Sequence, residues 1–201
     1  MSLLSIARYL ALNVGIAVPT QVKSSVDPDA LKTVQFTEEA GEEVARRVNW
    51  GVLRATATVT GNGADDTFLL PADFARVVPG TSITSLGATI RVGLSADEWN
   101  SLPPTMGQPR YARLIGRQIS FWPYPPADQQ AKVTYQSLNW CTGGAIWAAD
   151  SDVAFFPEVL IKKGALWRWR RNLGQDYQDH LAEFESALTE LAAFDDGMRQ
   201  P

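Results

Sequence analysis

Leu53-Arg54-Ala55-Thr56-Ala57-Thr58-Val59-Thr60 is the stretch that decides the fold class. Apolar Leu53, Ala55, Ala57 and Val59 alternate with Arg54, Thr56, Thr58 and Thr60, the period of a half-exposed strand. Upstream of it the apolar period is 3.6. Phe36, Ala40, Val44 and Val48 line one side of a helix expected over residues 37–49. Thr37 is its expected cap, with Glu38 and Glu39 at the positive end of the dipole and Arg46 and Arg47 at the negative end. Before that, Pro19, Pro28 and a Ser-Ser pair make residues 18–32 an irregular connection with a short turn at 28–31. Leu3, Ala7, Leu10 and Val14 predict a first helix over residues 2–14, stopped by Gly15.

Downstream of the alternating stretch the signals stay short. Gly61-Asn62-Gly63 reads as a hairpin turn leading to a partner strand at 67–70. Residues 88–92 are a weaker strand, and Ser95 with Glu98 forms a capping box for a helical turn near 96–101. Residues 110–115 and 118–122 flank Gly116-Arg117 as a two-residue hairpin, and 131–138 returns as a strand. The Gly- and Ala-rich segment 139–151 reads as a loop. Pro157 opens a helix running to about Leu173, and Gly174 ends it. A final helix starts near Asp176, with a seam at Tyr177, Leu181, Phe184, Leu188 and Leu191.

Helical segments at both chain ends around short strands give an α+β fold. The expectation is a small helical bundle from residues 1–50 and 152–196, a β-rich insertion over 51–151, and a flexible tail over 197–201. Composition agrees: of 201 residues, 45% are hydrophobic and 20% charged, enough apolar material for a real core. No apolar run approaches the ~20 residues that span a bilayer, and no secretory signal is expected.

Chemistry is sparse. One cysteine, Cys141, excludes an intramolecular disulfide and a Cys-rich zinc site. One histidine, His180, excludes a multi-histidine metal centre and would have to serve any Ser-His-Asp triad. It reads as a helix-surface residue, and Cys141 as a buried or idle thiol. Gly61-Asn62-Gly63 lacks the Lys of a phosphate-binding loop. Asp150-Ser151-Asp152 is spaced like the start of a calcium loop without its remaining ligands, so capping of the helix at Pro157 is the simpler expectation. No catalytic, cofactor-binding or metal-binding residue is therefore assigned. A net charge of −4 argues against a general nucleic-acid binder.

The charge distribution near the C-terminus says more. Lys162, Lys163, Arg168, Arg170 and Arg171 interleave with Trp167 and Trp169 on one helix. The next carries Asp176, Asp179, Glu183, Glu185 and Glu190. Pairing between two packed helices is the first reading, a subunit interface the second and a nucleic-acid surface the third.

An ordered series of local patterns resembles the head-to-tail adaptor proteins of tailed bacteriophages. It comprises Glu38-Glu39-Ala40-Gly41-Glu42-Glu43 with Arg46-Arg47 and Trp50, then Leu70-Pro71-Ala72-Asp73-Phe74. Tyr111 through Ile115-Gly116-Arg117 to Phe121-Trp122-Pro123 follows. Asp150-Ser151-Asp152, Pro157-Glu158, Trp167-Arg168-Trp169 and Gly174-Gln175-Asp176-Tyr177 complete it. The resemblance spans about Phe36 to Leu191; residues 18–32 and 83–104 match least. It implies a virion structural protein of the neck, assembled in the host cytoplasm, without catalysis. The implied partners are the portal protein, neighbouring copies in a ring that is usually twelve-fold, and a tail or stopper protein. DNA would pass through the ring without sequence-specific binding, and no membrane is involved.

On that reading Lys162, Arg168, Arg170, Arg171, Glu183, Phe194 and Met198 are candidates for the subunit and portal interface. The tail at 194–201 is expected to order against the portal or a neighbour. Tyr111, Trp122 and Tyr124 are candidates for a tail-side interface, with a local core role for Trp122 as the equal alternative. Another neck or tail-completion ring protein, a nucleic-acid-binding module using residues 162–171 and a carboxylate-based hydrolase are the competing functions.

Overall fold

A computed structural model describes residues 2–81 and 83–197. Its helices are α1 (Leu3–Val14), α2 (Pro28–Arg47), α3 (Ala96–Asn100), α4 (Glu158–Asn172) and α5 (Gln178–Gly197). Its strands are β1 (Arg54–Thr60), β2 (Thr67–Leu69), β3 (Phe74–Val77), β4 (Ile83–Ser85), β5 (Ala88–Val92), β6 (Tyr111–Ile115), β7 (Gln118–Trp122) and β8 (Gln130–Ser137). The fold class is α+β, with helices at both ends of the chain flanking a β-rich region. The chain divides into a helical unit, which ends at Leu53 and resumes at Leu138, and a sheet unit, Arg54–Ser137.

In the helical unit, α1 buries Leu3, Ile6 and Leu10, and α2 buries Phe36, Ala40 and Val44. From α4 come Leu160, Ile161, Ala165 and Trp169, and from α5 Phe184 and Leu188. Ser2 leads α1 without a side-chain cap; the carbonyls of Asp152 and Asp150 accept its first amides, from Leu3 and Leu4.

Helix α2 begins far earlier than the sequence pattern predicts. Asp27 caps it, its Oδ1 accepting from the Asp29 amide at 2.8 Å, and Pro28 occupies the first turn. Proline at that position starts a helix rather than breaking one, because its missing N–H would be unpaired anyway. Thr37 is consequently no cap. It sits fully buried inside the helix, its hydroxyl 2.8 Å from the Thr33 carbonyl oxygen, and accepts from Trp147 Nε1 at 3.1 Å.

Segment 139–151 is irregular, as the sequence predicts, but it packs in the helical unit rather than with the insertion. Trp140 and Trp147 meet edge to face at 4.5 Å, and Phe156 stacks on Trp140 at 5.9 Å. The indole N–H of Trp140 donates to the Ala145 carbonyl at 2.7 Å, so the buried ring leaves no polar atom unpaired.

The sheet runs β1-β8-β4-β5-β6-β7-β2, with β3 also on β8. The expected β6–β7 hairpin is present, Ile115 opposite Gln118, and so is the Ser95–Glu98 capping box ahead of α3. The expected hairpin through Gly61-Asn62-Gly63 is not. Strand β1 pairs along its whole length with β8, Arg54 opposite Gln136 and Thr60 opposite Gln130, while β2 pairs with β7. Three residues of β2 cannot satisfy the amides of a seven-residue strand, whereas β8 can. Asn62 turns the chain away by accepting from the Ala64 and Asp65 amides, and the Gly61 amide donates to the Gln129 carbonyl. Strands β3 and β4 are too short to register as periodic signals. The core of this unit includes Val59, Phe74, Ile90, Ile119, Phe121 and Val133. Tyr135 donates to Asp73 at 2.9 Å, and burial together with that carboxylate pushes its phenol up to about 12.

Gly41 tests the packing most directly. A Cβ there would lie 2.5 to 2.7 Å from three atoms of the Trp140 ring. Alanine in a helix gains about 1 kcal/mol over glycine. Overpacking against a pinned ring costs about 1–3 kcal/mol. Gly41→Ala should therefore lower the denaturant midpoint; a raised midpoint would show that the ring yields.

Candidate functional site

The carboxylates that most resemble a site hold loops instead. Asp150 accepts from the Val22 amide at 3.0 Å and the Lys23 amide at 2.7 Å. Asp152 accepts from the Ala148 and Ala149 amides at 2.6 and 2.8 Å and from the Thr142 hydroxyl at 3.1 Å. Neither caps α4, which Pro157 precedes with no side-chain cap, so the capping expectation gives way to loop closure. The amides of Ala149 and Ala148 hold the Asp152 carboxyl below its ordinary value. Among the described residues no group of three or more His, Cys, Asp or Glu could hold a metal ion.

The Cys141 thiol is buried, 3.3 Å from the carbonyl oxygens of Gly144 and Ile146. Burial pushes its titration upward, away from a reactive thiolate. His180 is half-buried on α5, and its Nδ1 makes no hydrogen bond among the described residues.

The basic helix α4 spends much of its charge inside the helical unit. Arg168, with 11% of its side chain exposed, pairs with Glu39 at 3.4 Å and with Glu43, which lie one turn apart on α2. Its guanidinium also lies 4.3 Å from the Trp167 ring centre. Lys162 pairs with Glu158 on its own helix at 2.7 Å. Among the described residues only Lys163 of this helix pairs with α5, meeting Glu183 at 2.7 Å. Arg47 of α2 takes Glu185 at 2.5 Å, a cation the C-terminal charge pattern does not point to. The spacing of Glu39, Glu43 and Arg47 on one face of α2 is the signal that could have found this network. Arg171 is exposed, 5.6 Å over Trp167, and Arg170 is half-buried; among the described residues neither pairs with a carboxylate. Phe194 is 66% exposed, and Met198 lies outside the described residues.

In the sheet unit Tyr111 and Trp122 lie ring to ring at 5.9 Å, both half-buried. The Trp122 indole donates to the Pro103 carbonyl at 2.7 Å. Tyr124, Trp122 and Trp99 line a cleft of about 330 Å³ with Asp65 and Asp66 at its wall. The three sequence candidates on this unit thus gather at one end of the β6–β7 hairpin.

Asp152, Glu183 and Glu185 all titrate low, held by the Ala149 amide, the Lys163 ammonium and the Arg47 guanidinium respectively. A carboxyl depressed on folding stabilises the native state above its unfolded value, and that stability is lost as pH falls through the folded value. Unfolding midpoints should hold near neutrality and fall as the pH drops below the ordinary carboxyl values, 4.5 for Glu and 3.8 for Asp. Asp152→Asn should lower the neutral midpoint and flatten that acid limb; an unchanged acid limb would remove Asp152 from this account.

No curated protein matches the chain. No helix among the described residues is long and apolar enough to cross a membrane. The family model described as SU10 adaptor protein matches residues 2–201. That span takes in both the helical and the sheet unit, and the family is a structural one rather than an enzyme family. The chain belongs to the SU10 adaptor protein family and is a head-to-tail adaptor, a structural protein of the phage neck.

Proposed function

We propose that this chain forms a ring on the portal vertex, extends the DNA channel and presents the surface on which a tail or stopper protein assembles. The family match across nearly the whole chain carries the reading. The surface chemistry supports it. Among the described residues Arg170 and Arg171 have no carboxylate partner and Phe194 is exposed, and aromatic and arginine residues are the usual anchors of protein interfaces. The aromatic cleft lined by Trp99, Trp122 and Tyr124 offers a second such surface for a tail component. A closed ring joins unlike faces of neighbouring subunits, so each subunit needs two faces for its neighbours besides those that meet portal and tail. The net charge of −4 suits a conduit that must not retain DNA through phosphate contacts.

Light scattering after size exclusion tests this on the chain alone and mixed with the portal ring. The expected result is a monomer alone and co-elution as a stoichiometric ring with the portal. A chain that ignores an intact portal ring refutes the reading. Phe194→Ser should weaken co-elution while leaving the helical circular dichroism unchanged, because the side chain lies outside the core. Equal co-elution would remove Phe194 from the docking surface.

A further inference from the structure

The outer face of the sheet is built like a partner's seat. Strand β6 turns Ala112 and Leu114 to the core, which leaves Tyr111, Arg113 and Ile115 on the opposite side. Strand β7 buries Ile119 and Phe121 and leaves Gln118, Ser120 and Trp122. Register then sets Arg91 beside Tyr111 beside Trp122. The next row along is Arg113, Ser120 and Thr67, and the last is Ile115, Gln118 and Leu69. The hydroxyls of Thr67 and Ser120 meet at 2.7 Å, which places both on this face. None of these nine positions is acidic. Among the described residues neither Arg91 nor Arg113 has a carboxylate partner, and Ile115 and Leu69 are 60% and 67% exposed.

Helix α5 carries the complement. It has no Lys or Arg. Its exposed side holds Glu183, Ser186, Glu190, Ala193 and Phe194, and Glu190 has no basic partner among the described residues. Small residues there let a backbone approach closely, and Phe194 supplies an apolar anchor. The spacings also match. Two residues along a strand advance about 6.6 Å. Four residues along a helix advance about 6 Å. With Phe194 set on Ile115, Glu190 falls beside Arg113 and Ser186 beside Tyr111.

We propose that α5 of one copy docks on the β5-β6-β7-β2 outer face of a second copy, with Glu190 paired to Arg113 and Phe194 seated at Ile115 and Leu69. The contact is heterologous, so it propagates from copy to copy, the kind of contact a closed ring requires. It rests on the ring reading above and names the surfaces that make the ring. Charge availability favours this face over α4, where Lys162, Lys163 and Arg168 already have carboxylate partners within the chain, Arg170 is half-buried and Arg171 lies over the Trp167 ring. A second copy is favoured over DNA because Ile115 and Leu69 gain burial against Phe194 and gain nothing against phosphates.

The test is a charge swap read by ring formation on the portal. Arg113→Glu alone and Glu190→Arg alone should each raise the concentration needed for the ring about tenfold or more, as loss of a close interfacial charge pair does. The chain carrying both changes should recover the ring, because the pair is restored with its polarity inverted. Ile115→Cys with Phe194→Cys in one chain should give a ladder of disulfide-linked multimers when the assembled ring is oxidised. Cys141 is buried and does not compete. Rings that form equally well in both single variants, or an absent ladder, overturn the proposed contact while leaving the ring intact. Intact rings with salt-sensitive duplex binding that Arg113→Glu abolishes would assign the face to DNA and also overturn it. If the unmodified chain forms no ring on an intact portal, the ring reading itself fails, which is a separate result.

Discussion

The flat approach of the Trp140 ring to the backbone of Gly41 sets the packing of the helical unit. Only hydrogen fits at that point of α2. The ring is held there by Trp147 at its edge, Phe156 on its face and the Ala145 carbonyl at its nitrogen. Gly164 repeats the device on α4, where a Cβ would come 2.8 Å from Ala40 Cβ. Helices α2 and α4 can therefore lie close, and interiors packed to crystal density leave little room for either glycine to grow. Because the wedge comes from the segment that follows β8, the helical core includes residues that belong to no helix.

An irregular segment buried in this way must satisfy its own backbone. Asp152 does this for 148 and 149, and Asp150 does it for the stretch around Val22 that joins α1 to α2. The two carboxylates that look most like a metal or catalytic pair are thus joints. The same economy governs the cations. Arg168 bridges to Glu39 and Glu43, and Arg47 bridges to Glu43 and Glu185, so α2, α4 and α5 are tied by charge as well as by apolar contact. Among the described residues, the charges left without an opposite partner include Arg91 and Arg113 on the sheet, Arg170 and Arg171 on α4, and Glu190 on α5. A protein whose role is to be joined to others keeps its unpaired charge where neighbours can reach it.

Local periodicity determined much by itself. The first helix with its Gly15 stop, the alternating strand from Arg54, the Ser95–Glu98 capping box, the β6–β7 hairpin and both C-terminal helices are all legible from neighbours in sequence. These features rest on side chains a few residues apart, so the information is local. The α+β class and the adaptor resemblance follow from their order.

Tertiary structure alone decided the rest. Pairing of β1 with β8 rather than β2 depends on a strand at the far end of the insertion being long enough to satisfy it. The early start of α2 is the exception, a local signal made of the Asp27 cap and Pro28 in the first turn, while Thr37 changes from cap to buried acceptor only because Trp147 arrives from across the unit. Which arginines are spent and which are free cannot be read from a run of basic residues, since ion pairing is a matter of distance through space and not along the chain. The sequence by itself settled the pieces and their family; the folded chain settled which surfaces remain to bind, because only folding consumes partners.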